Sequence, residues 1–175
     1  QKRGIHIRPS RPKDPDSEFD LIRAIYNAVW SGNWGFVPLS DHEMRDIQKK
    51  VMEFVDPDMV FFIYYEDEPA AFCVIFPDLN PLLKRLNGRI GLLGFLKLLM
   101  YRREINGLRL LMFGIKEKFQ QLGLPMLAFH HIYEVVRKKE KYHYLELGWT
   151  LEDNESINSL LEEAGAKRYK KYRIF

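Results

Sequence analysis

Apolar residues recur along this chain at the spacings that strands and amphipathic helices require. Two β-rich runs joined by a short polar segment predict a hairpin, and stretches with apolar residues every three or four positions predict helices. Ser40 and Glu43 form a capping-box pattern that predicts where the second helix begins. The predicted elements are, in order, a strand at 4–9, helices beginning near 16 and 41, strands at 60–65, 71–76 and 108–115, a helix after 125, a strand at 144–149, a helix after 154 and a strand at 169–175.

This order predicts an α/β fold that is interrupted by one helical insert. Residues 79–105 fall between the third and fourth predicted strands and combine several basic residues with a strongly apolar stretch at 90–100. That stretch is too short to span a bilayer. The insert could pack on the domain, form a homodimer interface, line a tunnel for a long acyl chain or lie on an anionic membrane surface. Packing or dimerisation is the simpler expectation, and membrane-surface contact is the less favoured one.

The composition fits a single domain of 175 residues, because 46% apolar residues can bury a substantial core. Basic and acidic residues are mixed and leave a net charge of +3, so we expect no nucleic-acid partner. Cys73, the one cysteine, lies in an apolar run, which excludes an internal disulfide and predicts a buried thiol in a reducing, cytoplasmic setting. His130 and His131 are adjacent on a predicted helix and point in different directions, so we expect no metal site. Because the chain begins at Gln1, we expect it to be processed or excised from a longer protein.

The connection between the strand at 108–115 and the helix that follows is the strongest candidate for a ligand site. Gln120-x-x-Gly123 lies between them and opens the helix. Such a connection directs several free backbone N–H groups, and the positive end of the helix dipole, at one point. That point suits a pyrophosphate. Any strand-to-helix connection could carry such a glycine, so the motif gains weight only from its surroundings.

These residues resemble the cofactor loop of the GNAT superfamily of acyl-CoA-dependent N-acyltransferases, which reads Gln/Arg-x-x-Gly-x-Gly/Ala. Gln120 and Gly123 match, and Pro125 replaces the last glycine or alanine. Proline has no N–H to donate but is favoured at the start of a helix, so the geometry should survive. The order of elements is also that of the GNAT fold, and Asn154 with Gly165 eleven residues later resembles the family's Asn-x-x-Ala-…-Gly-Phe motif. Within the superfamily the chain looks similar to a bacterial group with a Trp-Ser-Gly-Asn-Trp-Gly-Phe-Val-Pro loop.

The resemblance implies a mixed twisted sheet with helices on both faces, and a thioester held between two splayed parallel strands at 110–115 and 145–149. It implies acetyl-CoA or another acyl-CoA as the donor and the amine of a small molecule as the acceptor. Asn154 matches a position that commonly contacts the cofactor, although a helix cap would explain an asparagine there equally well. The implied cofactor-binding residues are Phe113, Gly114, Ile115, Gln120, Gln121, Leu122, Gly123, Leu124 and Asn154.

The aromatic loop at residues 30–38 lies between the first two helices, where this family builds its acceptor pocket. Its glycines let a backbone approach a ligand closely, and its tryptophans offer flat apolar walls with one N–H donor each. A plug that covers one end of the sheet is the alternative. The expected acceptor-binding residues are Trp30, Asn33, Trp34 and Phe36.

Candidates for proton transfer are two carboxylates and a tyrosine. Glu146 lies on a predicted strand, Glu152 lies near a helix start, and Tyr172 lies on the predicted terminal strand. Each also has a simpler interpretation, as a solvated strand residue, a helix-start carboxylate or a packing residue.

Leu161 occupies the place where the family usually keeps its acid, a tyrosine. Two further functions therefore stay open: a GNAT-fold binding module without catalysis, suggested by Leu161 and Pro125, and a lipid-facing acyltransferase for long chains, suggested by the insert.

Overall fold

One mixed sheet of five strands organises the fold. The structure is a computed structural model that describes residues 4–32, 36–51, 56–86 and 92–173. The strands are β1 (Ile5–Pro9), β2 (Val60–Tyr65), β3 (Glu68–Pro77), β4 (Gly107–Ile115) and β5 (Tyr144–Glu146). The α-helices are α1 (Pro15–Trp30), α2 (Asp41–Val51), α3 (Asn80–Arg85), α4 (Leu92–Tyr101), α5 (Leu124–Lys139) and α6 (Glu155–Glu163). Short 3₁₀-helices span Pro57–Met59, Arg102–Glu104 and Glu117–Leu122.

The strands lie side by side in chain order. β1 to β4 pair antiparallel with their neighbours, and β4 and β5 pair parallel. The parallel pair needs the long crossover through α5, because a tight turn joins only antiparallel strands. Helices pack on both faces of this mixed sheet, so the expected α/β fold class is confirmed.

β2 and β3 are buried on both faces because helices cover both sides of the sheet. Phe61 and Ile63 of β2 belong to the cluster that α5 covers, whereas Phe62 between them belongs to the cluster under α1 and α2. The alternation follows from the two-residue period of a strand. Cys73 of β3 lies in the α5 cluster and is fully buried, and this burial raises the pKa of its thiol. The thiol therefore stays protonated and serves the core.

Local sequence signals position the helices as predicted. The Ser40 backbone N–H donates to Glu43 Oε2 over 3.0 Å, and the Glu43 N–H donates to Ser40 Oγ over 3.3 Å, which confirms the capping box.

The insert contains α3 and α4 between β3 and β4. Within the described residues, no helix is both long and apolar enough to cross a membrane.

One predicted strand is shorter than expected, and another is not formed over its described residues. The strand predicted at 144–149 ends at Glu146, and residues 169–173, the described part of the predicted terminal strand, have no regular secondary structure. Gly148 has a φ of +37°, which turns the chain out of the extended conformation soon after β5. In the tail, Lys171 and Arg173 bind a side chain of the preceding loop, Glu152. The prediction of a strand at 169–173 was therefore wrong.

Candidate functional site

A buried aromatic ring anchors the connection from β4 to α5. It forms the 3₁₀-helix Glu117–Leu122, in which Phe119 is only 7% exposed and has its ring centroid 5.7 Å from that of Tyr65. Gln120 and Gln121 are exposed on the same short helix. The predicted turn is therefore a 3₁₀ segment fixed to the core, with its two glutamines facing outward.

Gly123 forms the junction and leaves the first turn of α5 open. Its backbone is left-handed (φ +72°, ψ +25°), a conformation that favours glycine. A Cβ added there would meet nothing within 4 Å, and no side chain caps the helix. Leu122 is half-buried and Leu124 fully buried, so both ends of the junction are anchored. The result is an open, uncapped helix N-terminus of the kind that binds anions.

The parallel strands pair over three residues only and then part. The pairs are Gly107 with Tyr144, Leu108 with Leu145 and Arg109 with Glu146. The chain after β5 is still close at Gly148, where an added Cβ would lie 3.0 Å from the Leu110 carbonyl oxygen. Beyond it, residues 111–115 have β3 on one side and, in the part of the chain that the structure describes, no strand on the other. This edge is open to an extended ligand.

An extra residue in β4 lies where the two strands part. Leu110 pairs with Ile75 and Met112 pairs with Val74, so Leu111 is the bulged residue. Strict alternation would place Leu110 and Met112 on one face, yet Leu110 packs on the α5 side and Met112 on the α1 side. Bulges redirect side chains in this way and are enriched next to active sites.

Trp30 brings the predicted acceptor loop to the predicted cofactor strand. Its indole lies over Gly114 of β4: a Cβ at Gly114 would come within 2.9 Å of the Trp30 ring and 2.8 Å of the Phe72 ring. Only a glycine lets these two rings approach the strand so closely. The last residue of α1 therefore forms a wall beside the strand that carries Phe113, Gly114 and Ile115.

Phe36, a second aromatic residue of the acceptor loop, is linked to Trp30 through Tyr26 of α1. The ring centroid of Tyr26 lies 4.8 Å from that of Trp30 and 5.8 Å from that of Phe36. Of the four predicted acceptor residues, Trp30 thus lies beside β4, and Phe36 is linked to it through Tyr26. The other two, Asn33 and Trp34, lie outside the described residues.

Glu146 lies at the point where β4 and β5 separate. Its carboxylate is 3.5 Å from the guanidinium of Arg109, its neighbour across the strands, and its side chain is 13% exposed. The simpler interpretation of Glu146 as a solvated strand residue is therefore wrong. A carboxylate that is fixed at the start of the opening is well placed to accept a proton from an amine bound there.

Glu152 is held by two cations of the C-terminal tail. It forms ion pairs with Lys171 and, over 2.6 Å, with Arg173. These contacts, that with Lys171 first, lower the pKa of Glu152 to about 2. A general base works best with a pKa near the working pH, so the geometry favours a structural role for Glu152 in fixing the tail.

Tyr172 lies on the exposed C-terminal tail. Tyr172 is 66% exposed, as expected for a residue outside a regular strand. The pKa of the neighbouring Lys170 is raised, chiefly by its hydrogen bond with Tyr169.

Asn154 caps α6. Its Oδ1 accepts a hydrogen bond from the Ile157 N–H over 3.3 Å. Asn158, one turn further, donates from Nδ2 to the Leu151 carbonyl oxygen over 3.0 Å and accepts from the Thr150 hydroxyl. This network explains why an asparagine occupies position 154, and the cofactor role of Asn154 stays a prediction.

The sequence did not indicate the role of Asp78, a buried carboxylate that directly follows β3 and contacts the first residue of β5. Asp78 is 7% exposed and accepts hydrogen bonds from the Tyr144 hydroxyl (2.8 Å) and from the side-chain and backbone nitrogens of Asn80 (2.8 and 3.0 Å). Desolvation first, and then the bond to Asp78, raise the pKa of Tyr144 to about 12, so the hydroxyl keeps its proton. Tyr144 and Asp78 are 66 residues apart, and no local pattern links them.

Comparison with solved structures identifies the fold. A structure described as a possible acetyltransferase from Clostridium difficile 630 matches with a TM-score of 0.61 and 16% identity, covering 98% of this chain and 97% of that one. The structure of AAC(6')-Iy in complex with the bisubstrate analogue CoA-S-monomethyl-acetylneamine matches with a TM-score of 0.62 and 10% identity, covering 98% and 96%. At these identities the likeness shows the fold alone. The chain is a GNAT-fold protein, as its motifs and element order predicted.

Two curated relatives match by sequence, although no protein-family model matches the chain. Protein YghO of Escherichia coli (strain K12) is 34% identical over 166 residues, covering 90% of this chain and 42% of the relative. A bacterial ceramide synthase of Caulobacter vibrioides (strain NA1000 / CB15N) is 30% identical over 179 residues, covering 98% and 46%. The chain thus spans less than half the length of the curated relatives it matches.

Proposed function

We propose that this chain is an N-acyltransferase domain that transfers an acyl group from acetyl-CoA or another acyl-CoA to an amine. The observation that carries the proposal is the opening between β4 and β5, which continues along β4 to the uncapped N-terminus of α5. The bisubstrate analogue in the AAC(6')-Iy structure, which contains CoA, supports the same donor here.

The residues of the opening suit an acyl-CoA. The open edge at 111–115 can pair with an extended arm that carries amide groups, and the N–H groups of Leu124 and Met126 can donate to a pyrophosphate. Gly123 leaves space above them, whereas Pro125 has no N–H to contribute. When bound, the donor would supply a thioester, which is an activated form of the acyl group.

The protein's own groups then bind the amine and move protons. Trp30 and Phe36 would hold the apolar part of the acceptor beside β4, and Glu146 would accept a proton from its amine, directly or through one water. Leu161 has no proton to donate. The proton that the departing sulfur requires would therefore come from water or from the Tyr172 hydroxyl.

A matched pair of glycine variants tests the donor site. Gly123→Glu places bulk and negative charge at the predicted pyrophosphate position and should weaken CoA binding at least tenfold, about 1.4 kcal/mol, by isothermal titration calorimetry. Gly165→Glu is the control, because Gly165 is also left-handed (φ +87°) with nothing within 4 Å of an added Cβ. Equal CoA affinity in both folded variants would rule out this donor site.

Turnover decides between an enzyme and a binding module. Free CoA and acylated amine should appear when the protein is mixed with acyl-CoA donors and a panel of amines, as detected by mass spectrometry. Glu146→Gln should lower kcat by ~10²-fold. Binding of CoA without any acylated product across the panel would replace the proposal with the binding-module alternative.

A second candidate is a lipid-type reaction, with a long acyl chain and a long-chain amine. The match of 98% of this chain to a relative named a ceramide synthase favours it, as does the apolar insert. Comparing palmitoyl-CoA with acetyl-CoA, each with a long-chain amino alcohol and with a small polar amine, separates the candidates. A preference of tenfold or more in kcat/KM for the long-chain pair, about 1.4 kcal/mol in transition-state binding, would select the lipid reaction.

A further inference from the structure

Positive charge is concentrated in the insert at 79–105. This segment contains six Lys and Arg residues and one acidic residue, a net charge of +5. The whole chain carries +3, so all other residues together carry −2. The insert is therefore a basic region of a protein that is otherwise slightly acidic. Such a region attracts an anionic partner to one part of the molecule.

The helix α4 exposes large apolar side chains next to this charge. Leu96 is 50% exposed and Met100 is 73% exposed, and their spacing of four residues places them on one face. Lys97 is exposed beside them, and Tyr101, four residues later, is 38% exposed. We call Leu96, Lys97, Met100, Tyr101 and the exposed Arg103 the α4 patch.

The length and composition of α4 suit a surface helix. It has ten residues, about half of what a bilayer span needs. A short helix with apolar side chains beside Lys and Arg is the kind that lies in the headgroup region of a membrane. Apolar side chains enter the lipid there while the cations stay near the phosphates.

We propose that the α4 patch docks this protein on the surface of an anionic phospholipid bilayer. Leu96 and Met100 enter the headgroup region, and Lys97 and Arg103 bind lipid phosphates. The alternative occupant is a second copy of the chain, but a symmetric dimer through the patch would set one +5 insert against another. An anionic surface has the opposite charge and is therefore the better complement. Docking needs no acyl transfer and does not depend on the proposed function.

Vesicle flotation of the full-length protein tests the charges. The protein should bind vesicles that contain about one-third phosphatidylglycerol, remain free of pure phosphatidylcholine vesicles, and dissociate as salt is raised. Lys97→Glu/Arg103→Glu should lower the partition coefficient at least tenfold. Arg11→Glu/Lys13→Glu is the control, with the same charge change at exposed residues outside the insert. Absent binding, equal binding to neutral vesicles or an equal loss in both double variants would overturn the proposal.

The apolar contribution is tested separately. Leu96→Ser/Met100→Ser should also lower the partition coefficient at least tenfold, whereas Met126→Ser/Tyr133→Ser, at side chains of α5 that are 58% and 62% exposed, should leave it unchanged. Circular dichroism checks that each variant is folded. Analytical ultracentrifugation follows the oligomeric state. If the wild type is a dimer and the α4 variants are monomers with unchanged vesicle binding, the patch binds a second copy and the membrane proposal is wrong.

Discussion

β3 and β4 are neighbours in one sheet but have opposite surroundings. β3 is paired along both edges and buried over residues 70–75, with helices above and below. Among the described residues, β4 has a full partner only in β3, carries a bulge at Leu111, and is open toward β5 beyond Gly148. A fully paired strand gives the sheet its rigidity, and a half-paired strand offers backbone groups and space to a ligand. The candidate site lies on the second kind of strand and is supported by the first.

The largest expected effect is in β3, the strand that is paired along both edges. Phe72→Ala in β3 should lower the free energy of unfolding by about 3–5 kcal/mol, because the ring is fully buried and its removal leaves a cavity. Leu111→Ala in β4 should lower it by less than about 1 kcal/mol, because that side chain is 48% exposed. Urea denaturation of both variants checks the contrast. Similar losses in the two strands would mean that β4 is as closed as β3.

The next effect concerns Gly114 of β4, against which the rings of Phe72 and Trp30 pack. Gly114→Val should lower stability by about 1–3 kcal/mol, since its Cβ would come within 2.8 Å of Phe72 and 2.9 Å of Trp30. It should also raise the KM for the acceptor, because Trp30 must move. Thermal unfolding and steady-state kinetics measure the two effects. A fully stable Gly114→Val protein would contradict the close packing of Trp30 on β4.

A smaller effect is expected at Tyr144, where β4 and β5 begin to pair. Tyr144→Phe should lower stability by about 1 kcal/mol, because the buried Asp78 loses one of its hydrogen-bond donors and Tyr144 itself is partly exposed. The folded pKa of Tyr144 is raised to about 12, so its contribution is complete below pH 10 and is lost only as the pH rises through 12. Denaturation at neutral pH is the measurement. Tyr133→Phe, at a ring that is 62% exposed, is the control and should change little.

The smallest effect is on the tail. The pKa of Glu152 is lowered from its ordinary 4.5 to about 2, so its attachment of Lys171 and Arg173 persists above pH 4.5 and is lost as the pH falls toward 2. Hydrogen exchange should show faster exchange at 166–173 in Glu152→Gln at neutral pH, with the rest of the protein unchanged. Glu155→Gln, at the first turn of α6, should leave the tail as it is. Equal exchange in both variants would show that the ion pairs do not hold the tail.

Much of the fold follows from local patterns. The two-residue alternation of β2, the Ser40–Glu43 capping box and the Gln-x-x-Gly junction before α5 are signals between residues that are close in sequence, and the structure has each of them. The predicted length of β5 and the terminal strand failed for one reason. Their apolar and polar alternation fits a strand, but alternation does not register the turn at Gly148 (φ +37°) or the ion pairs that bind the tail to Glu152.

The sequence by itself therefore determined the order of elements as far as α6 and the junction at Gly123, since these depend on local spacing and backbone preference, and its resemblance to GNAT proteins implied the fold. Only the tertiary structure decided that β4 and β5 part after three pairs, that Trp30 packs on Gly114, and that Glu146 is paired with Arg109 while Glu152 binds the tail. These contacts join residues that are far apart in the chain. Their partners are chosen by the geometry of the assembled sheet, which no single segment encodes.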